Sequence, residues 1–148
     1  MDLHLTGRVA AVAASSAGLG YASALTLAQE GCQVAICGRR PEKLAEAAES
    51  IRRETGSEVL AFALDISADD GPARFIQATV DHFGRLDIAV ANAGGPPSGP
   101  FVAMTDDQWD VAVAANLMST VRLFREALPH LRDSDQGRLI AITSISAK

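Results

Sequence analysis

Two patterns of apolar and polar positions alternate along the chain. Short, nearly continuous apolar runs are typical of strands that are buried on both faces, and longer segments with apolar residues three or four apart are typical of amphipathic helices. Glycine- or proline-containing turns separate the two kinds of segment. The predicted strands are Val9–Ala14, Gln33–Cys37, Val59–Leu64, Leu86–Ala91 and Gly137–Ser144.

Helical patterns lie between these strands, and their ends carry the expected signals. Pro41 suits the first turn of a helix, and Gly31, Gly56 and Gly84 stand where helices stop. The predicted helices are Gly18–Glu30, Glu42–Thr55, Asp70–Phe83 and a long segment from Thr105 to Leu131 with room for a break. In the first of them we assign Leu19, Ala22, Leu25, Thr26 and Ala28 to the buried side.

Regular alternation of strand and helix predicts successive β-α-β units. Their crossovers are right-handed, so we expect an α/β fold of the doubly wound, Rossmann type, with a parallel sheet and helices on both faces. No linker or repeat interrupts residues 1–148, which are interpreted as one domain. Ligands of this architecture bind beyond the carboxyl ends of the strands. Polar residues follow the predicted strands there: Ser15, Ser16, Arg39, Asp65, Asn92 and Ser144.

The turn after the first strand is the strongest candidate for a binding element. Gly18-Leu19-Gly20 opens the first predicted helix, where close-approaching backbone and unpaired N–H groups favour an anion such as a phosphate. One Gly-x-Gly is weak evidence by itself. A second loop, Gly94 to Pro100, is dense in turn-forming residues and is equally compatible with a simple connection or a lip over the ligand.

Composition excludes several classes of function. The chain has 148 residues, is 48% hydrophobic and carries a formal charge of −5, which argues against a nucleic-acid partner. No apolar stretch is long enough to span a membrane and the N-terminus has no signal-peptide pattern, so we expect a cytoplasmic protein without a membrane partner. Cys32 and Cys37 are interpreted as buried thiols rather than a reactive pair, and the three scattered histidines predict no metal site.

Several motifs taken together resemble the short-chain dehydrogenase/reductase family. The glycine fingerprint of that family, Thr-Gly-x-x-x-Gly-x-Gly, falls on residues 13–20, and its Asn-Asn-Ala-Gly motif falls on residues 91–94. The helix asparagine falls on Asn116, and the serine after the fifth strand falls on Ser144 in Ile142-Thr143-Ser144. The match runs along essentially the whole chain, and motifs at consistent separations are more specific than any one of them.

The resemblance implies hydride transfer between a nicotinamide cofactor and a carbonyl or alcohol. Ser144 would donate a hydrogen bond to the substrate oxygen, with capping of the strand end as the structural alternative. Asn116 would hold a backbone group or water in a proton relay, or serve as a structural bridge, since a polar residue in an apolar helix needs a partner.

The resemblance also implies a set of cofactor-binding residues. Asp65 would bind the adenine with Ile66 behind it, although a turn role is also open for Asp65. Asn92, Ala93 and Gly94 would line the ribose side and join the central strands. The phosphate-side residues would be Ala14, Ser15, Ser16, Gly18, Leu19 and Gly20.

The end of the second strand bears on cofactor choice. An acidic residue there would accept hydrogen bonds from ribose hydroxyls and repel a 2′-phosphate. This chain has Gly38 followed by Arg39 and Arg40, whose guanidinium groups suit a 2′-phosphate, so NADP(H) is favoured over NAD(H). A solvated arginine pair before a helix is the alternative, and Ala17, where NADP-using members often have Arg or Lys, argues against the NADP(H) preference.

The chain departs from the family pattern in two places. Ala13 and Ala14 replace the usual threonine and first glycine, and a methyl group at Ala14 disfavours a positive φ. The family's Tyr-x-x-x-Lys pair is absent, because the single tyrosine, Tyr21, is followed four residues later by Leu25. We therefore expect the N-terminal part of a longer reductase, whose activity without that pair is doubtful.

The off-pattern fingerprint, together with Asn92-Ala93-Gly94-Gly95-Pro96-Pro97, is similar to a subgroup related to β-ketoacyl-acyl-carrier-protein reductases with atypical motifs. The resemblance implies a carbonyl, alcohol or acyl-thioester substrate and assembly as a homodimer or homotetramer through the helix that carries Asn116 and the helix after it. The alternative function is a non-catalytic dinucleotide-binding or regulatory protein on the same fold. A methyltransferase on a related sheet is disfavoured by the Asn92–Gly94 motif and Ser144.

Overall fold

Residues 2–144 are described by the computed structural model, and within them the predicted strand–helix alternation is confirmed. Every strand pairing in the sheet is parallel. The strands are β1 (Val9–Val12), β2 (Gln33–Gly38), β3 (Val59–Ala63), β4 (Ile88–Ala91) and β5 (Arg138–Ala141). Their order across the sheet is β3-β2-β1-β4-β5, so the chain reverses direction of winding beside β1. This is the doubly wound order that the sequence predicts.

Helices cover both faces of the sheet and give two apolar cores. One core joins the inward side chains of α3 and α5 to alternate strand residues such as Val9 and Ala11, and the other joins α1 and α2 to Ala10 and Val12. The helices are α1 (Gly18–Gln29), α2 (Pro41–Thr55), α3 (Gly71–Phe83), α4 (Asp106–Val113) and α5 (Ser119–Arg132). A short 3₁₀ helix, Phe101–Ala103, precedes α4.

The predicted inward side of α1 is confirmed only in part. Ala28 is buried and Leu25 packs against the core, but Leu19 is 66% exposed and Ala22 and Thr26 also face outward. The fully buried residues are Gly20, Ala24 and Ala28, four apart along the helix. Apolar residues occur around the whole helix, so periodicity does not identify one side. The sheet receives the side with the smallest residues, which lets the helix backbone approach the strands closely.

The long helical segment is interrupted. The predicted start is confirmed, because Thr105 accepts a hydrogen bond from the amide of Gln108 and the Gln108 side chain accepts one from the amide of Thr105. The segment then passes through a π-helical turn, Ala114–Met118, before α5 begins. The predicted ends Ala14 and Ser144 lie outside β1 and β5, which are shorter than expected.

A buried carboxylate joins the strands at the opposite, amino-terminal edge of the sheet. Asp87 is fully buried and accepts hydrogen bonds from the Arg85 guanidinium, the Ser134 hydroxyl at 2.6 Å and the Val9 amide at 2.9 Å. Burial raises the pKa of Asp87, but these donors outweigh it and lower the pKa to about 2. The carboxylate therefore ties the starts of β1 and β4 to the turn before β5.

None of the helices described between residues 2 and 144 is long and apolar enough to cross a membrane.

Candidate functional site

A cleft of ≈ 430 Å³ opens at the carboxyl ends of the strands, across the point where the winding reverses. Four strand-end segments and the start of α1 form most of it, and α4 with the π-helical turn closes one side. The lining residues are Ala14, Ser16, Ala17, Gly18, Leu19, Cys37, Gly38, Arg39, Arg40, Leu64, Asp65, Ile66, Ser67, Asn92, Ala93, Gly94, Gly95, Val111 and Ala115.

The backbone turns sharply into the cleft at Ala14. Its φ is +48°, in the left-handed region that a side chain disfavours. The sequence indicates that a methyl group opposes this conformation, and the fold nevertheless imposes it. Neighbouring hydrogen bonds hold the strained residue in place, since Ala13 donates its amide to Val90 and Ser15 donates its amide to Cys37.

Ser15 does not reach the cleft. Its side chain is fully buried, its hydroxyl donates to the Val12 carbonyl at 2.6 Å, and the Cys37 amide donates to that hydroxyl at 3.2 Å. The side chain thus joins the ends of β1 and β2. Its neighbour Ser16 does line the cleft and packs against Gly38, where an added Cβ would meet the Ser16 hydroxyl at 3.1 Å.

The start of α1 faces the cleft with uncapped amides. Ala17 provides no side-chain cap, and the first turn contains no acidic residue. Gly18 adopts a φ of +59° with open space beside it. Such a helix start leaves N–H donors and the positive end of the helix dipole directed at any anion in the cleft.

Gly20 sits inside the turn rather than in the cleft. A Cβ there would lie 2.5 Å from the Ala14 carbonyl oxygen and 2.7 Å from the Asn92 amide nitrogen, so only glycine lets α1 approach this closely. The Asn92 side chain donates to the carbonyls of Ala13 at 3.3 Å and Ala14 at 3.1 Å. It therefore links the end of β4 to the turn after β1, as well as lining the cleft.

Two arginines and one carboxylate lie at the β2–β3 end. Arg39 and Arg40 are exposed and line the cleft after β2, and Asp65 follows β3. Asp65 accepts hydrogen bonds from the hydroxyl and the amide of Ser67, at 2.6 and 2.9 Å. These bonds and the charge of Arg39 lower the pKa of Asp65, so it is ionised at neutral pH while it stabilises its own turn.

Of the other predicted site residues, some lie at the cleft and others lie outside its lining. Ile66 is buried beneath the cleft, and Ala93 and Gly94 line it. Ser144 lies beyond the carboxyl end of β5, on the same edge of the sheet, but outside the cleft lining. Asn116 is exposed in the π-helical turn, where its side chain donates to the Ala112 carbonyl at 3.0 Å.

Cys32 and Cys37 are free, buried thiols, as the sequence predicts. Burial raises the pKa of Cys37 to about 12 and that of Cys32 to about 11, which keeps both thiols protonated at neutral pH. Among residues 2–144, histidine, cysteine and carboxylate side chains form no group of three that could hold a metal ion.

The chain matches a known family from its first strand onward. A model of the short-chain dehydrogenase family matches residues 8–148. The chain belongs to the short-chain dehydrogenase family. The parallel sheet with the order β3-β2-β1-β4-β5 agrees with the fold that the resemblance to this family implies.

Among proteins of this family, an uncharacterised NAD-dependent oxidoreductase of Mycobacterium tuberculosis is 35% identical over 156 residues, covering 97% of this chain and 56% of the relative. A Streptomyces virginiae protein, named as a candidate ketoacyl reductase of the monensin polyketide synthase, is 34% identical over 145 residues, with 97% and 55% coverage. The structure of Gluconobacter frateurii L-sorbose reductase with NADPH and L-sorbose has a TM-score of 0.95 and 33% identity, and the match covers 99% of this chain and 56% of that one. The chain spans a little over half the length of these relatives.

One wall of the cleft is not predicted by the sequence. Val111 of α4 and Ala115 of the π-helical turn line the cleft, four residues apart on one side of the segment. Both are ordinary apolar residues in a helical pattern, and nothing in their spacing distinguishes a cleft wall from a core contact. Their role depends on where α4 lies relative to β4, which is a tertiary property.

Proposed function

We propose that this chain provides the dinucleotide-binding part of an NADP(H)-dependent short-chain oxidoreductase, which transfers hydride between NADP(H) and a carbonyl or alcohol. The observation that supports it most directly is the cleft that runs from the uncapped start of α1 to the arginine pair after β2. One element offers backbone N–H donors for a pyrophosphate, and the other offers two cations for a further phosphate.

The residues of the turn fit a phosphate group. Gly18 leaves open space beside the first amides of α1, and Leu19 and Ala17 face outward along the same rim. In this proposal Ala14, Ser16, Gly18 and Leu19 surround the pyrophosphate. Ser15 and Gly20 act indirectly, by fixing the turn and the close approach of α1.

Preference for the 2′-phosphate rests on charge. Gly38 ends β2 without a side chain of its own, and Arg39 and Arg40, which follow it, both line the cleft. Guanidinium groups bind phosphate bidentately, whereas no carboxylate immediately follows β2 to accept from ribose hydroxyls. L-sorbose reductase has NADPH bound, and the mycobacterial relative is NAD-dependent by name, so the family alone does not decide between the cofactors.

The remaining strand ends are assigned to the adenosine. Asp65 presents an ionised carboxylate above buried Ile66, which suits the amino group and the face of an adenine ring. Asn92, Ala93 and Gly94 form the β4 side of the cleft and would contact the ribose. The hydrogen bonds of Asn92 to Ala13 and Ala14 would keep that side at a constant distance from the turn.

The nicotinamide group, when bound, supplies the hydride donor or acceptor. Ser144, at the carboxyl edge after β5, is proposed to donate a hydrogen bond to the substrate oxygen and so polarise the carbonyl. Asn116 is proposed to hold a water or backbone group in a proton relay, and the π-helical turn that contains it is a feature frequently found at functional sites.

Titration of the protein with NADPH and NADH, followed by cofactor fluorescence, tests the cofactor assignment. We expect tighter binding of NADPH, and a loss of about tenfold or more for NADPH in Arg39→Ala/Arg40→Ala with little change for NADH. Arg53→Ala is the matched control, since it removes an exposed charge on α2 outside the cleft. If the double variant binds NADPH as tightly as the wild-type protein does, the 2′-phosphate assignment is rejected.

For the substrate we propose a carbonyl, including β-ketoacyl thioesters, in keeping with the atypical motifs and the name of the Streptomyces relative. NADPH consumption by the full product of the gene, with a thioester and with simple ketones, tests this. The second candidate, a non-catalytic dinucleotide-binding protein, is favoured by the strained Ala14 inside the cleft. Binding of NADPH without turnover of any carbonyl would select it.

A further inference from the structure

The π-helical turn between α4 and α5 depends on an unusual hydrogen-bond exchange at Ser119. The Ser119 amide donates to the carbonyl of Ala114, five residues earlier, instead of the carbonyl four residues earlier that an α-helix would use. That carbonyl, on Ala115, instead accepts a hydrogen bond from the Ser119 hydroxyl. One residue therefore supplies both donors, its amide to one carbonyl and its side chain to the next.

Burial makes the hydroxyl important. Ser119 is 4% exposed, so water cannot easily replace its hydroxyl at the Ala115 carbonyl. Without that hydroxyl, the simplest way to pair the carbonyl is to move the Ser119 amide back onto it. That move converts the π-helical turn into regular α-helix and removes one residue from the turn.

A change of register at this point would move α4 rather than α5. Ser119, Leu123, Ala127 and Leu131 form one buried row along α5, whereas none of the eight residues of α4 is buried. A π-helical turn holds one residue more than an α-helical turn. When the π-helical turn becomes α-helix, this extra residue joins the regular helix, and the preceding segment rotates by about 100° and shifts by about 1.5 Å relative to the anchored α5. Val111 and Ala115, which line the cleft, would turn away from it.

We propose that Ser119 is a positioning residue, whose hydroxyl keeps the π-helical turn in register and thereby holds the Val111–Ala115 wall against the dinucleotide cleft. The inference rests on the proposed function for the identity of the ligand, but the register itself does not. The two can therefore be tested separately.

Hydrogen exchange of the backbone amides tests the register without any ligand. In Ser119→Ala we expect the amides of residues 114–119 to exchange at least several-fold more slowly, because the segment becomes regular α-helix. Ser119→Thr keeps a hydroxyl and should retain the exchange pattern of the unchanged protein. Thr79→Val is the matched control: Thr79 is fully buried and its hydroxyl donates to the Phe75 carbonyl at 2.8 Å within regular α-helix, so its loss should leave residues 114–119 unchanged.

Dinucleotide titration tests the consequence for the cleft. We expect Ser119→Ala to weaken NADPH about tenfold, Ser119→Thr to restore binding, and Thr79→Val to lower the melting temperature without this loss. Val111→Ala should weaken NADPH binding when it is made in the wild-type protein but should cause no further loss when it is added to Ser119→Ala. Such coupling between residues 111 and 119 is not produced by a general loss of stability.

The outcomes separate the two proposals. If the unchanged protein does not bind NADPH while the exchange pattern changes as expected, the proposed function fails and the role of Ser119 in the register stands. If Ser119→Ala folds with unchanged exchange at residues 114–119, the positioning role is overturned. Should Ser119→Ala not fold, Ser119→Val has the shape of Ser119→Thr but no hydroxyl to donate to the Ala115 carbonyl, and an unchanged register and affinity in Ser119→Val would overturn the role equally.

Discussion

At the scale of single residues, Ala14 combines a left-handed backbone conformation with a position inside the cleft. Its φ of +48° is a conformation that costs about 1–2 kcal/mol for a residue with a Cβ. The energy is offset by the bonds that fix its neighbours, among them the amide of Ser15 on the Cys37 carbonyl and the side chain of Asn92 on the Ala14 carbonyl. The chain thus keeps a glycine-type turn without the glycine.

Ala14→Gly should relieve this strain. We expect a free energy of unfolding higher by about 0.5–1 kcal/mol and tighter NADPH binding, because the methyl group leaves the cleft wall. Urea denaturation and cofactor titration measure the two effects. Ala13→Gly is the control, since Ala13 is buried without a positive φ and should lose stability instead. Lower stability in both variants would show that the left-handed turn carries no relievable strain.

Gly20 should tolerate no side chain. Gly20→Ala places a Cβ against the Ala14 carbonyl and the Asn92 amide, so we expect a loss of about 2–3 kcal/mol in the free energy of unfolding and weaker dinucleotide binding. Gly94→Ala is the comparison, because Gly94 lines the same cleft with open space and no positive φ. Thermal denaturation of the two variants decides, and equal melting temperatures would contradict the close approach of α1.

At the scale of elements, the Asp87 cluster shows how the amino-terminal edge of the sheet is held. The carboxylate is anchored by Arg85, Ser134 and the Val9 amide, and Arg8 lies between Asp87 and Asp135. Removing the buried negative charge would leave the arginines facing each other. Strand ends from three parts of the chain depend on this cluster.

The pH dependence of stability follows from the depressed pKa of Asp87. The pKa is about 2 in the folded protein and near 3.9 in the unfolded chain, so the stabilisation is complete above about pH 4 and is lost as the pH falls towards 2. Asp87→Asn should cost about 2–3 kcal/mol at pH 7, and the difference from the unchanged protein should shrink below pH 4. Urea denaturation between pH 7 and pH 2.5 measures it. Asp135→Asn, an exposed partner of Arg8, should cost far less, and a constant Asp87→Asn difference across the range would refute the argument.

At the scale of the whole molecule, the face formed by α4 and α5 is the strongest candidate for self-association. Trp109, Val113, Leu117 and Val121 repeat every four residues and are 37–57% exposed. The α4 segment contributes Asp106, Asp107 and Asp110, whereas α5 contributes the exposed Arg125 and Arg132; Arg122 is already paired with Asp69 at 2.8 Å. An antiparallel second copy would bring the carboxylates of α4 near these two arginines, in keeping with the homodimer or homotetramer that the resemblance implies.

Light scattering coupled to gel filtration tests this assembly. We expect a mass of at least two chains, and dissociation in Leu117→Asp because the substitution places a charge in the apolar row. Leu3→Asp changes an exposed leucine of similar exposure away from that row and should leave the mass unchanged. A monomeric unchanged protein, or a Leu117→Asp variant of undiminished mass, would rule out the face as the interface.

The extent to which the sequence predicts the structure differs from one element to another. The strand–helix alternation, the parallel sheet and the capping box at Thr105 are visible in the sequence because they rest on local periodicity and local hydrogen bonds. The buried side of α1 is not visible, because apolar residues surround that helix and only its packing against β1 and β2 selects Ala24 and Ala28.

The fold class, the turn of residues 13–20 and the set of polar strand ends are therefore predictable from local patterns, because each depends on residues close together in the chain. Three features are visible only in the folded chain: Ser15 ties β1 to β2 instead of facing the cleft, Val111 and Ala115 form a wall, and Asp87 joins the starts of β1 and β4 to the turn before β5. These features arise from contacts between residues distant in the sequence. Their energy depends on burial and direction, which no local pattern contains.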